Sequence, residues 1–290
     1  MHRGMAPKES TGRVALITGA TSGIGRAVAC RLARDGLTVV VSGRDQSRGE
    51  KTVSEIRAEG GTAHFVAADL HDETSVRDLA RRATEAGGGH VDVLVHSAGT
   101  GTLGPTEKTT ESEFDRVFAL NVRVPYLLTG QLAPAMADRG DGVIVNVSRI
   151  ASGRGIDGLA AYAASKAAID QLTRSWAAEY GSRGVRVNAV VPGSAETPMI
   201  APARGFFEAL ADRAPARRLT EPDEVAAAVA YLASSQAAYV HGAFLPVDGV
   251  TRRSPDAYTP ARRSWVPRTA SNSSFSPVSV PDTGVNHSRR

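Results

Sequence analysis

The chain has 290 residues, 34 Lys+Arg against 30 Asp+Glu, 42 % hydrophobic and 22 % charged residues, and a single cysteine. That hydrophobic share excludes wholesale disorder; one cysteine, Cys30, excludes a disulfide framework and a cysteine-based zinc site, so no metal is expected. The basicity is local: residues 251–290 hold seven Arg and two acids, whereas 13–250 are slightly acidic.

Residues 1–12 are polar, lack the apolar core of a signal peptide and read as a flexible N-terminus. No apolar run approaches the roughly 18 residues of a membrane span, so a cytoplasmic protein with no membrane partner is expected. Short β-branched or apolar runs at 14–18, 38–42, 63–67, 91–95, 143–147, 185–190 and 243–247 read as strands. Amphipathic stretches at 24–34, 48–58, 74–86, 111–118, 122–137, 160–180 and 221–233 read as helices between them. Near-continuous apolar strands suit a parallel sheet covered on both faces. The alternation predicts a single α/β domain over 13–250, a Rossmann-like doubly wound parallel sheet of about seven strands. The tail, 251–290, is rich in Ser, Pro, Thr and Arg without a period, and such a composition cannot offset its ordering entropy. It reads as a disordered basic tail. Its arginines are scattered and Trp265 and Phe275 isolated, so no nucleic-acid partner is read from it.

The first strand runs straight into Thr18-Gly19-Ala20-Thr21-Ser22-Gly23-Ile24-Gly25, and a helix follows. Glycines let the backbone approach a pyrophosphate, and the helix N-terminus offers free N–H groups. Gly19, Thr21, Ser22, Gly23, Ile24 and Gly25 are therefore candidate dinucleotide contacts. The second strand ends in Ser42-Gly43-Arg44-Asp45. An acid there would hold the ribose of NAD; Gly43 takes that place and Arg44 follows, able to pair with a 2′-phosphate. This favours NADP(H) over NAD(H). Cys30, in the first helix, reads as a small core residue.

Tyr162 and Lys166 lie four apart in the 160–180 helix, on one face. A phenol with a pKa of about 10 is a poor acid–base catalyst at neutral pH, and an adjacent ammonium favours its phenolate. The chain has four Lys against 30 Arg, so a Lys at this offset is pointed. The segment 194–216, before the last helix, is long enough to read as a binding loop. It carries Met199, Ile200, Phe206 and Phe207, which suit a partly apolar substrate. Arg204, Arg213, Arg217 and Arg218 would suit an acidic or thioester-linked one.

Glycine turn and Tyr/Lys pair together resemble the short-chain dehydrogenase/reductase family, single-domain type, near its 3-oxoacyl-ACP reductase-like members, over roughly 13–250. The turn's Gly-x3-Gly-x-Gly spacing is similar to that family's variant. The resemblance implies that Tyr162 is the general acid that protonates a carbonyl oxygen as hydride arrives, that Lys166 also holds the nicotinamide ribose, and that Asn121 holds a water in the proton relay. It further implies cofactor contacts at Asp69 and Leu70, at Ala98 and Gly99, and at Pro192, Gly193 and Thr197. A homodimer or homotetramer is implied too, since the 160–180 helix carries apolar residues on more than one face.

Three positions depart from the family pattern. A serine that polarises the substrate carbonyl is expected thirteen residues before the tyrosine, and that position is Arg149. Either Ser148 takes over by a shift of the strand end, although a one-residue slip turns a side chain to the other face; or Arg149 stabilises the oxyanion or binds a substrate anion; or ordinary reductase activity is lost. His96-Ser97-Ala98-Gly99 replaces Asn-Asn-Ala-Gly, and His96 reads as a core histidine rather than a catalyst. Val250 stands where a second glycine often closes the family's last motif. Three functional readings stay open: an NADP(H)-dependent carbonyl reductase or alcohol dehydrogenase acting on a small-molecule carbonyl; a redox-neutral member such as an epimerase, dehydratase or cyclase; and an NADP-binding sensor without turnover.

Overall fold

β-Branched and apolar residues fill seven short strands: β1 Val14–Thr18, β2 Thr38–Gly43, β3 Thr62–Ala67, β4 Val93–His96, β5 Gly142–Val147, β6 Val185–Pro192 and β7 Phe244–Val247. In the computed structural model, which describes residues 12–249, they form one sheet in the order β3-β2-β1-β4-β5-β6-β7, every neighbouring pair parallel. The expectations for residues before Gly12, for Val250 and for the tail lie outside the described residues. The predicted strands and helices are all present, with ends displaced by a few residues.

Among the described residues, eight α-helices connect the strands: α1 Gly23–Arg34, α2 Gln46–Ala58, α3 Glu73–Ala86, α4 Glu111–Phe118, α5 Val124–Arg139, α6 Ala160–Tyr180, α7 Arg204–Ala211 and α8 Pro222–Ala233. Side chains alternate along a strand, so each strand feeds both faces. Ala15 and Ile17 of β1 pack with Val28 and Leu32 of α1 and Val225 and Val229 of α8. Val14 and Leu16 pack on the other face, with Leu79 of α3, Leu128 of α5 and Trp176 of α6. Burial on both faces explains why these strands read as continuous apolar runs rather than alternating ones.

One predicted helix differs. The stretch 122–137 is continuous with α4 through a π-helical segment, Ala119–Arg123, and α5 begins only at Val124. The extra residue in the turn places Asn121 in the interior, 1 % exposed. Single π-turns inside α-helices recur at functional sites.

Sheet order reverses between β1 and β4, because the chain winds outward from β1 to β3 and then returns to β4 on the other side. The strands are parallel, so their C-terminal ends open a crevice at that switch point.

Candidate active site

A cavity of about 530 Å³ occupies this crevice. The glycine turn forms one edge. A Cβ on Gly19 would stand 2.7 Å from the Ala98 Cα, and one on Gly25 would stand 2.3 Å from the Gly19 carbonyl oxygen. Gly19 and Gly23 also hold positive φ, 68° and 52°. Side chains are excluded, so bare backbone and the first turn of α1 face the cavity. Ser22, the residue before α1, makes no side-chain capping bond, whereas Asp72 and Thr110 cap α3 and α4. The α1 N-terminus thus keeps its N–H groups for an anion. Thr18 Oγ1 accepts from the N–H groups of Ser97 and Ala98, both at 3.2 Å, which ties the turn to the end of β4. A backbone cradle that a Cβ would fill fits the pyrophosphate of a dinucleotide.

At the end of β2, a Cβ on Gly43 would stand 2.6 Å from Thr21 Cγ2. An acid at this position would have to push the Thr21 side chain aside. Arg44 lines the same end of the cavity, joined by Arg48. Sequence reasoning missed Arg48, although its place one turn into α2, behind the N-cap Asp45, was a readable signal. His71 and Arg116 line the cavity as well and had no local motif to announce them.

Tyr162 and Lys166 of α6 line the cavity, 9 % and 6 % exposed. Lys166 Nζ lies 5.9 Å from the centre of the Tyr162 ring and donates to the Val147 carbonyl at 2.8 Å. That bond leaves two ammonium N–H groups for other acceptors. Asn121 does not line the cavity. Its Nδ2 donates to the Thr100 carbonyl at 2.8 Å and to Ser165 Oγ at 2.9 Å, and its Oδ1 accepts from the Thr100 N–H at 2.9 Å. It braces the loop after β4 against α6, one residue from Lys166.

Most other expected contacts line the cavity: Thr21, Ser22, Gly23, Ile24, Asp69, Leu70, Ala98, Gly99, Pro192 and Thr197. Gly193 does not. Its N–H donates to Val247 at 2.9 Å, and a Cβ there would meet the Asp248 Cα at 3.1 Å. Its smallness lets β6 pass the end of β7.

At the serine position the two candidates diverge. Ser148 and Arg149 both line the cavity, 2 % and 8 % exposed. The Ser148 hydroxyl donates to Asp170 of α6, and so does that of Ser152, at 2.5 Å. A hydroxyl has one proton, and Ser148 has committed its own to a carboxylate. Arg149 follows in extended backbone, φ −163° and ψ 151°. Its Nη2 donates to Ser194 Oγ at 3.3 Å, and its guanidinium lies 5.3 Å from the Phe207 ring centre. Sequence reasoning missed Asp170, although Tyr162, Lys166 and Asp170 form an i, i+4, i+8 series on one helix face.

His96 lies in the interior, 4 % exposed, with Nε2 3.0 Å from Thr129 Oγ1. Burial, aided by the Lys166 charge, pushes its pKa down to about 3. It is a neutral core residue bound to α5. The segment 194–216 folds into a 3₁₀ turn, Pro198–Ala203, and α7. Arg204 there pairs with Glu196 and Glu208, and Arg218 pairs with Glu224. These two arginines therefore satisfy neighbours. No His/Cys/Asp/Glu group suited to a metal ion is present among the described residues, and none of their helices is long and apolar enough to cross a membrane.

A doubly wound sheet with a glycine cradle and a tyrosine–lysine pair at one cavity defines an oxidoreductase that works with a nicotinamide dinucleotide. Comparisons with known proteins agree. A family model described as enoyl-(acyl carrier protein) reductase matches residues 19–250. Cis-4-hydroxycyclohexanecarboxylate dehydrogenase of Sinomonas cyclohexanicum is 41 % identical over 240 residues, 82 % of this chain and 95 % of that protein. Two solved structures superpose closely. One is a variant of the actinorhodin polyketide ketoreductase with NADPH, 34 % identical, TM-score 0.79, covering 83 % of this chain and 98 % of its own. The other is a 3-ketoacyl-(acyl-carrier-protein) reductase from Brucella melitensis complexed with NADH, 38 % identical, TM-score 0.77, covering 82 % and 98 %. The chain belongs to the short-chain dehydrogenase/reductase family, among its 3-oxoacyl-ACP reductase-like members.

Proposed function

We propose that the protein is an NADP(H)-dependent ketoreductase-type enzyme that interconverts a small carbonyl compound and its alcohol. One observation carries this reading: Tyr162 and Lys166 line the same cavity as the glycine cradle. A bound nicotinamide supplies or accepts the hydride. In the reductive direction the Tyr162 hydroxyl gives its proton to the carbonyl oxygen, and in the oxidative direction the phenolate takes it back. The Lys166 ammonium, steadied by the Val147 carbonyl, holds positive charge near that oxygen. Asn121 positions Lys166 through Ser165 and the Thr100 loop.

Preference for NADP(H) is supported by the side-chain-free end of β2 and by Arg44 and Arg48 beside it. Arg44→Ala is expected to weaken NADPH binding about tenfold, the loss of one charge-assisted contact, with NADH binding little changed. Fluorescence titration with each cofactor measures the split. A homodimer or homotetramer is supported by exposed aromatic side chains on α4 and α5, Phe114 (44 %) and Tyr126 (57 %).

The Arg149 position favours a second reading, a redox-neutral family member, because no free serine proton is offered there. Mixing protein with NADPH and a panel of aldehydes, cyclic ketones and oxo acids decides between them. Loss of absorbance at about 340 nm supports the ketoreductase; cofactor binding without oxidation across the panel overturns it.

A further inference from the structure

Among the described residues, Arg149 is a buried cation without a counter-charge. It is 8 % exposed, and no carboxylate lies within ion-pair distance of it among the described residues. Its one side-chain hydrogen bond, to Ser194 Oγ at 3.3 Å, is long, and its Nε is buried with no partner. Arg204 and Arg218, both after β6, are more exposed yet carry carboxylate partners at 2.5 to 2.7 Å. A charge removed from water without a counter-charge is costly. An anion bound from outside would remove that cost.

The surroundings fix how such an anion would sit. Ser148 and Ser152 both donate to Asp170, which pins the end of β5 to α6. Consecutive side chains of an extended segment face opposite ways, so anchoring Ser148 toward α6 turns Arg149 away from it. The guanidinium carbon lies over the Phe207 ring, 5.3 Å from its centre, and with one Nη2 proton given to Ser194 the Nη1 and remaining Nη2 N–H groups form the fork. That fork matches a planar carboxylate with two parallel hydrogen bonds. Arg149 and Tyr162 line one cavity, so the anion and the reacting carbon belong to one molecule.

We propose that Arg149 anchors the carboxylate of the substrate, and that the protein selects oxo acids and the corresponding hydroxy acids over neutral ketones and alcohols. This rests on the reading of the site as a ketoreductase. In the wild-type full chain saturated with NADP+, benzoate is expected to bind at least tenfold tighter than benzamide by calorimetry. Arg149→Met should bring the two within about twofold, and Arg149→Lys, which keeps the charge without the fork, should fall between. With NADPH, 2-, 3- and 4-oxo acids should exceed their methyl esters at least tenfold in kcat/KM, mostly through KM. Arg149→Ser should level the pairs by losing the acids.

Equal binding of benzoate and benzamide by the wild-type protein overturns the proposal and requires no variant to fold. So does a preference that survives in Arg149→Met. If Arg149→Met weakens NADP+ itself at least tenfold, the anion belongs to the cofactor and the proposal also falls. Failure to reduce any acid or ester overturns the ketoreductase reading alone, since the benzoate comparison stands without turnover.

Discussion

The β1–α1 edge and the β5–α6 edge line one cavity, yet they specify it by opposite means. At β1–α1 the information lies in missing atoms: Gly19, Gly25 and Gly43 each sit where a Cβ would come within 2.3 to 2.7 Å of a neighbour. At β5–α6 it lies in polar side chains whose value depends on which way they face. Ser148 and Arg149 are adjacent in sequence, but one is bound to Asp170 and the other to Ser194. The first kind of site tolerates no addition. The second can be rewired by a single substitution without disturbing the backbone.

The severest break falls on the polar edge. Tyr162→Phe removes the transferable proton and keeps the ring, so the fold and the cofactor cradle should survive. General acid–base groups contribute about 10²- to 10⁴-fold, and a loss of about 10³-fold in kcat is expected. NADPH oxidation measures it, and cofactor titration of the same variant should match wild type within a few-fold. If turnover persists, the proton comes from elsewhere.

Gly25→Ala breaks the other edge. The added Cβ meets the Gly19 carbonyl oxygen at 2.3 Å, and that carbonyl is backbone that no rotamer change can move. Overpacking of this kind costs about 1–3 kcal/mol, and the shifted turn should weaken NADPH at least tenfold. Gly104→Ala is the control, because nothing lies within 4 Å of its Cβ position; a change within about 0.5 kcal/mol is expected. Urea unfolding of both variants tests whether steric exclusion, rather than glycine content, builds this edge.

The comparison also explains what the sequence made legible. The glycine edge was readable because its glycines fall between a strand pattern and a helix pattern. The Tyr162–Lys166 pair, a spacing common by chance, was readable only together with that turn upstream. The placement of Asn121 was not readable, because a π-turn cannot be seen in a pattern that Val122 and its neighbours continue smoothly as a helix. The serine position stayed open because sequence gives the order of Ser148 and Arg149, not their facing. The facing is set by Asp170, more than twenty residues away, and only the fold brings it to the end of β5.

His96, at the end of β4, behaves like the glycine edge in being defined by exclusion, here of water. Its folded-state pKa is about 3 against an ordinary 6.5. Between those values the unfolded chain binds a proton that the folded form refuses. Stability from this group is therefore complete above about pH 6.5 and falls as pH drops toward 3, by at most about 1.4 kcal/mol per unit. Replacing it by His96→Asn should flatten the stability–pH curve between about pH 6 and pH 4 by up to that slope. Denaturation midpoints across that range read it; parallel curves for the two proteins would mean that His96 takes up its proton in the fold.

The smallest effect is expected at Ser148, and it bears most directly on how the polar edge works. If the hydroxyl polarised a substrate carbonyl, Ser148→Ala would remove a transition-state hydrogen bond and cost about 10²-fold or more in kcat. Its proton instead goes to Asp170, where Ser152 donates as well. One of two donors to a carboxylate is then lost, and the other remains to hold the end of β5. A change of less than about threefold in kcat is expected, with a stability loss of about 1 kcal/mol, the ordinary worth of one hydrogen bond. Ser152→Ala should look the same. The double variant should cost more than the sum, because half-buried Asp170 of α6 would then keep neither hydroxyl, and the strand end that presents Arg149 would lose its tether. A 10²-fold drop for Ser148→Ala alone would assign the serine role to Ser148 after all and leave Arg149 only its neighbours to hold.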